Sequence, residues 1–323
     1  MTNIISVFIE GGLGNQLFQI FACIATALEQ KIPFRLPLSK HDLTSQKGAP
    51  RPTYWNNLLS RLKPFLTDDV YEWTHIYKQP SFSYHAVPPL HYTNIRMHGY
   101  FQSYRFFQKY EEQICRMLQI EQKRNEVREK FASMFAFSNI NHMNHHTDSK
   151  LPSKKTCVTL SLHFRLGDYK HLDGFHQVLP YDYYASALTH AIKRINVQVA
   201  PSNPINHTLL LKIIYFGEIE DHDENQDKIR RLKCDTDILN AKHENSATLE
   251  FVQCSYDIPD WEQMLIMSCC NHHIIANSSF SWWGATLNPD KEKNVYYPSL
   301  WFGPRIPHNT SDMFPPEWYR ILI

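Results

Sequence analysis

The chain has 323 residues, 43% apolar and 20% charged, the balance of an ordinary globular protein long enough for two domains with their own cores. Lysine and arginine number 33 against 32 aspartates and glutamates, a formal charge of +1, which excludes the broad basic footprint of a nucleic-acid protein or of one drawn to an anionic membrane. No run reaches the ~18–20 apolar residues of a membrane span, no signal-peptide pattern opens the chain, and the seven cysteines lack metal or redox spacing, so reduced thiols in a cytoplasmic protein are expected.

Ile4–Ile9 is a short apolar run of the buried-strand type, stopped by Glu10-Gly11-Gly12. From Asn15 the apolar period becomes helical, with Leu17, Ile20 or Phe21, Ile24 and Leu28 on one face. Strand, glycine turn and helix open an α/β domain. Residues 37–100 are rich in proline and aromatics and show no clear period, and Tyr104–Phe135 reads as helical. The polar stretch Asn141–Lys155 predicts the domain boundary, giving a first domain over 1–150 and a second over 151–323, with a C-terminal tail able to return to the first. His142, His145 and His146 fall in that linker, where no cysteine or acidic residue completes a metal set.

The second half alternates strands and helices. Strands are predicted at Cys157–Phe164, Leu209–Phe216, Leu249–Gln253, His273–Ala276 and Val295–Tyr297. Helices are predicted at Tyr181–Ile195, near Asp223–Lys233, and at Trp261–Cys270 and Phe280–Leu287. This spacing implies a parallel, doubly wound sheet, and such sheets bind ligands at the carboxyl ends of their strands.

The residues at those ends carry the chemistry. After the first strand comes His163-Phe164-Arg165-Leu166-Gly167-Asp168-Tyr169, with His163 and Arg165 on one side by alternation. A guanidinium at a sheet's rim suits a phosphate, because its planar fork bonds two oxygens at once. Asp168 can orient Arg165, cap the turn or act as a base; a purely structural Arg–Asp pair explains the same residues. A later strand ends in Asn277-Ser278-Ser279-Phe280-Ser281-Trp282-Trp283-Gly284. Those serines either cap the next helix or line a phosphate site at its N-terminus. The paired tryptophans either fill the core or stack on a base or sugar.

Gly11-Gly12-Leu13-Gly14-Asn15-Gln16 looks superficially like a dinucleotide fingerprint. Leu17 replaces its third glycine, and residues 31–41 contain no acidic ribose ligand, which argues against an oxidoreductase. A tight loop presenting Asn15 and Gln16 to an interdomain cleft fits better. Asp221-His222-Asp223 and Asp235-Thr236-Asp237 have a spacing that could hold Mg²⁺ or Mn²⁺ against a diphosphate, but their charge-dense surroundings favour solvated carboxylates.

In order, these pieces resemble the α-1,2-fucosyltransferases of glycosyltransferase family 11. The resemblance lies in GGLGNQLFQ at 11–19, Gly99-Tyr100-Phe101-Gln102-Ser103, HFRLGDY at 163–169, and the run from Asp260 to Asn288, continued by Tyr297-Pro298 and Trp301. It implies an α/β fold of the GT-B kind, two Rossmann-type doubly wound domains facing a cleft. It implies inverting transfer of fucose from GDP-fucose to a glycan hydroxyl, α-1,2 to a terminal galactose, with no metal or other cofactor. The second domain would hold the donor and the first the acceptor. Carried onto this chain, Arg165 meets the β-phosphate. His163, Glu218, Asn277, Ser278, Ser279 and Phe280 line the donor, as do Gly12, Gly14, Asn15 and Gln16 from the first domain. Asp168, Glu10 and His163 are the candidate bases. Two positions depart from the pattern: Leu166 stands where many members have a second arginine, and Gly217-Glu218 where many have Ser-Asp-Asp. Another nucleotide-sugar donor or linkage, or a non-catalytic nucleotide-sugar or glycan binder, are the competing functions.

Overall fold

The structure is a computed structural model that describes residues 3–38, 43–44, 50–68, 73–91, 94–137, 154–172, 174–199, 207–240 and 247–323. Two units emerge, Met1–Asn125 with Pro307–Pro316, and Glu126–Ile306 with Glu317–Ile323.

In the first unit, strand β1 (Ile4–Val7) leads through the glycine turn into helix α1 (Leu13–Gln30). The helix is buried over nearly its whole length and ends where Lys31 turns left-handed at φ 56°. Two-residue strands follow: β2 (Leu36–Pro37) pairs with β5 (Leu66–Thr67), and β3 (Leu43–Thr44) with β4 (Pro50–Arg51). Strands β6 (His75–Lys78) and β7 (Asn94–His98) join β1 in a parallel sheet of order β1-β7-β6. Ile95 and Met97 of β7 are buried, whereas Arg96 between them lays its guanidinium 3.7 Å from the centre of the Phe8 ring.

The helical stretch expected at Tyr104–Phe135 is three helices: α2 (Glu111–Leu118), α3 (Ile120–Lys130) and α4 (Ala132–Phe135). Left-handed Gln119, at φ 55°, breaks the first from the second. The segment Pro307–Pro316 belongs to the first unit: the Tyr84 N–H donates to Asp312 Oδ2 at 2.6 Å, and His308 stacks on Phe82.

The second unit follows the predicted alternation. Its elements are β8 (Lys154–His163), α5 (Tyr181–Val199), β9 (His207–Phe216), α6 (His222–Asn240), β10 (Ala247–Gln253), α7 (Asp260–Ser268), β11 (His272–Ile274), α8 (Ser279–Thr286), β12 (Val295–Pro298) and β13 (Tyr319–Ile321). All six strands run parallel in the order β10-β9-β8-β11-β12-β13. Val158, Leu160 and Leu162 of β8 enter a core shared with Leu211 and Ile213 of β9 and Tyr183 and Ala187 of α5. Each fully buried leucine or isoleucine there contributes about 1.5–3 kcal/mol. The alternate residues of β8 are buried as well, and polar: the Thr159 N–H donates to Asn271 Oδ1 at 2.9 Å, and Ser161 pairs with His273 Nδ1 at 2.8 Å.

The expected linker lies outside the described residues over 141–153, and His142, His145 and His146 with it. None of the seven cysteines is in a disulfide, and four of them are buried. Among the described residues no helix is long and apolar enough to cross a membrane.

The sheet order fixes where a ligand can enter. From β8 the chain builds outward through β9 and β10, then returns to the other side of β8 as β11. The crevice at the carboxyl ends of β8 and β11 is therefore the topological switch point, the place where open parallel sheets bind ligands.

Candidate functional site in the second unit

His163 is the last residue of β8, and the ladder ends one residue later, where the Phe164 N–H donates to Phe216 C=O at 2.9 Å. The next residue is Arg165. Its side chain is one-fifth exposed and bridges two carboxylates, Asp168 at 2.6 Å and Glu218 from the turn after β9. The Tyr169 ring lies 5.1 Å from the guanidinium carbon. Burial works to lower the Arg165 pKa, but Glu218, Tyr169 and Asp168 outweigh it, so the guanidinium is held charged more firmly than usual. The Glu218 pKa is raised too, which for a carboxyl favours the neutral form: burial raises it, and nearby Asp168 and Asp221 add to this against the pull of Arg165.

The turn needs glycine at 167. Gly167 has φ +28°, and a Cβ there would run into the Glu218 carboxylate. Leu166, at the position that departs from the family pattern, is 1% exposed and packs in the core beneath the turn. It contributes an apolar anchor and no charge.

The loop after β11 closes the other side of the crevice. Tyr169 donates its hydroxyl to the Asn277 carbonyl at 2.9 Å and stacks on His176, tying this loop to the Arg165 turn. Burial pushes the Tyr169 hydroxyl pKa up to about 12, so it remains a donor at neutral pH. Asn277 donates its amide to Gln177 C=O at 2.9 Å and Trp301 C=O at 3.3 Å, which commits that amide to holding the loop. Ser278 caps α8 and accepts the Phe280 N–H at 3.3 Å, as the capping reading expects; Ser279 is the first helical residue. The start of α8 thus lies at the end of β11, with its positive dipole end at the crevice.

His163 is 7% exposed and faces the Phe280 ring at 5.7 Å between centroids. Burial, with Arg165 assisting, pulls its pKa down to about 3. The imidazole is neutral at physiological pH, can donate from one nitrogen, and is a poor base. Its Nδ1 has no protein partner among the described residues. A pH prediction follows. Between about 3 and the ordinary histidine value near 6.5 the unfolded chain binds a proton at His163 that the folded chain refuses. Folding stability linked to this group is complete above the upper value and falls as the pH drops through the window. The thermal midpoint of the wild type should therefore drop more steeply from pH 6.5 to 4 than that of His163→Gln, and equal slopes would contradict the neutral assignment.

The tryptophan pair resolves to the core reading. Trp282 and Trp283 are both 0% exposed and meet edge to face at 5.2 Å, so neither can stack on a ligand. Of the two Asp-x-Asp triplets, Asp223, Asp235 and Asp237 are exposed as expected, and Asp221 alone departs. Asp221 is 3% exposed and accepts from Gly167 and Lys170, and Asp235 accepts the Tyr181 hydroxyl. Burial and a backbone partner, absent from the sequence pattern, overturn the solvated reading for Asp221.

In the first unit the glycine loop forms the predicted turn, with Gly11 at φ +78° and extended Gly12 at the N-cap of α1. Gly14 lies buried in the first turn of that helix, and Glu10 precedes the loop. Gln16 corrects the expectation of a side chain presented for binding. It is 0% exposed and its amide braces the loop, donating to Gly11 C=O at 3.0 Å and Pro52 C=O at 2.9 Å. Asn15 accepts from Gln102 at 2.8 Å, which joins the glycine motif to Gly99–Ser103 across nearly ninety intervening positions. His163, Arg165, Asp168, Glu218 and Ser278 are gathered at one sheet rim; Gly12, Gly14, Asn15 and Gln16 form a separate cluster in the other unit.

Residues 233–321 match the family model for Glycosyl transferase family 11. O-antigen biosynthesis glycosyltransferase WbnK of Escherichia coli is 32% identical over 166 residues, a stretch that covers 50% of this chain and 44% of that protein. Alpha-1,2-colitosyltransferase of E. coli is 25% identical over 331 residues, covering 99% of both chains. Two solved structures, the glycosyl transferase family 9 from Veillonella parvula and E. coli ADP-heptose lps heptosyltransferase II, align over 100% and 99% of this chain and 86% and 90% of theirs. Both have 10% identity and a TM-score of 0.41, too slight a likeness to argue from. The family model at the C-terminal end, the relatives over half and nearly all of the length, and the four ordered motifs point the same way: the chain is similar to the glycosyltransferases of family 11.

Proposed function

We propose that the chain transfers fucose from GDP-fucose to a hydroxyl of a glycan acceptor, α-1,2 to a terminal galactose, with inversion and without a metal, on a GT-B-like pair of domains. The second unit takes the donor and the first presents the acceptor. One observation carries the reading: a firmly charged arginine stands at the switch point of a parallel sheet, beside the start of a helix.

Breaking the bond from the sugar's C1 to the diphosphate builds negative charge on the leaving oxygen and cationic character on the sugar. Fixed cations and backbone dipoles that meet this charge are usually the largest catalytic contribution. Arg165 already pairs with two carboxylates, and an arriving diphosphate competes with them for the guanidinium. Glu218 is suited to yield, because its carboxyl is already biased toward the neutral form. Asp168 then keeps the guanidinium aimed. Ser278, Ser279 and the N–H groups of α8 take the remaining phosphate oxygens, and neutral His163 can donate one hydrogen bond. Departure of GDP ahead of acceptor attack leaves little work for a base, and Asp168 and Glu10 are the carboxylates for it.

Colitose is the second reading for the donor sugar, favoured by the full-length match to alpha-1,2-colitosyltransferase. The test incubates the protein with lactose and either GDP-fucose or GDP-colitose and weighs the product. A fucosylated disaccharide is expected, formed equally well in EDTA. Product with GDP-colitose alone moves the assignment to the second reading. Binding without product overturns the enzyme, and loss in EDTA with rescue by Mn²⁺ overturns the metal-free step.

A further inference from the structure

Among the three carboxylates at this rim Asp221 is the least exposed, at 3% against 37% for Glu218 and 43% for Asp168. It sits on the 3-10 turn Ile219–Asp221 after β9, where its own N–H donates to Glu218 C=O at 3.2 Å. Its two oxygens reach across to the turn after β8. Oδ2 accepts the Gly167 N–H at 2.6 Å, and Oδ1 accepts Lys170 Nζ at 2.7 Å. Lys170 also pairs with Glu224, which keeps the buried carboxylate's partner in place. A backbone N–H bonded to an ionised carboxylate is roughly twice as strong as a neutral pair, and little water competes for it here.

These bonds bracket Arg165. On its N-terminal side Phe164 is bonded to Phe216 at the end of β9, and on its C-terminal side Gly167 is bonded to Asp221 just beyond β9. The turn between them is irregular, with Leu166 at φ −115°, ψ −79° and Gly167 at φ +28°. No regular ladder holds such a turn, so its position depends on the anchors. We infer that Asp221 is a positioning residue for Arg165: it pins the Gly167 turn so that the guanidinium is aimed before the donor arrives. This rests on the reading that Arg165 takes up the charge of departing GDP.

Truncating Asp221 removes the acceptor of the Gly167 N–H and leaves Lys170 paired with Glu224 alone. A displacement of about 1 Å in a group that stabilises the transition state costs roughly 10²-fold in turnover. Asp221→Asn keeps an oxygen for Gly167 and loses the charge, so its loss is smaller. The effect passes through Arg165, and in an Arg165→Ala background it should vanish.

The experiment is a double-mutant cycle of Asp221→Ala and Asp221→Asn against Arg165→Ala, assayed with GDP-fucose and lactose, with amide exchange of residues 164–170 followed by mass spectrometry. Supporting results are faster exchange in this segment, a kcat lowered roughly 10²-fold by Asp221→Ala, partial recovery in Asp221→Asn, and no further loss when either is added to Arg165→Ala. Unchanged exchange, unchanged kcat, or losses that multiply in the double variants each overturn it. If Asp221→Ala does not fold, the Asp221→Asn arm decides by the same criterion of additivity. An Arg165→Ala enzyme that turns over normally sinks the functional reading itself and the inference with it, whereas a crippled Arg165→Ala beside a normal, folded Asp221→Ala sinks the inference alone.

Discussion

Arg165→Ala is expected to lower turnover by ~10²–10³-fold, the scale for removing one preorganised charge stabiliser. The geometry specifies how the loss divides. The guanidinium is aimed by Asp168 and Glu218 and kept charged by both, so little reorganisation remains to be done as the leaving oxygen becomes negative. An interaction that strengthens as that charge develops lowers kcat and kcat/KM together, with a modest change in KM. Arg165→Lys should recover little of the loss, because one ammonium cannot hold Asp168 and a phosphate in the same planar fork. The fold should survive, since Asp168 and Glu218 are each more than a third exposed and water can take over from the lost partner. Steady-state kinetics on protein with an unchanged thermal transition checks this. Near-normal turnover in such a variant would remove Arg165 from the chemistry and send the search for the phosphate site elsewhere.

The second unit was legible because its central strands are buried on both faces. In β8, Val158, Leu160 and Leu162 alternate with Thr159, Ser161 and His163, and the apolar content of β9 leaves no other reading. What escaped was short or at an edge. β13 is a three-residue strand that pairs with β12 after an irregular stretch, and three residues carry no period. β6 and β7 hide in a stretch dense in proline and aromatics; β7 does alternate, but its outward Arg96 sits against Phe8 rather than in water. In the site, the Arg165–Asp168 pair is visible at a spacing of three residues, as one of the readings held open. Glu218 pairs with Arg165 only because β8 and β9 run parallel with His163 opposite Phe216, which places the turns after the two strands side by side. Asp221 was hidden for the same reason. Its charged neighbours suggest a solvated face, and only the turn from β8 folding over it buries it. Gln16 errs the other way. A polar residue beside a glycine loop invites a ligand, but its amide nitrogen is committed to Gly11 and Pro52.

Trp283→Ala is expected to cost ~3–5 kcal/mol of folding stability, the range for deleting a large aromatic from a packed core, and to lower the thermal midpoint by roughly 6–20 °C. Trp283 is 0% exposed and meets the Trp282 ring at 72° and 5.2 Å; Trp282 in turn packs on Trp318 at 5.5 Å. On the next residue, a Cβ at Gly284 would come within 2.9 Å of the Met267 side chain on α7, so these two helices already touch with little space between them. A cavity the size of an indole at such a contact has no nearby group free to fill it. The position also matters for function, because Trp283 lies one turn into the helix whose first residues face the crevice. Loosening α8 should weaken GDP binding as a consequence of lost order, and Trp283→Phe, which keeps a ring in the core, should recover much of both. Urea unfolding and GDP titration on the two variants separate this from direct stacking. A Trp283→Ala protein that unfolds at the wild-type urea concentration but binds GDP poorly would mean that the ring touches the nucleotide, against its complete burial here.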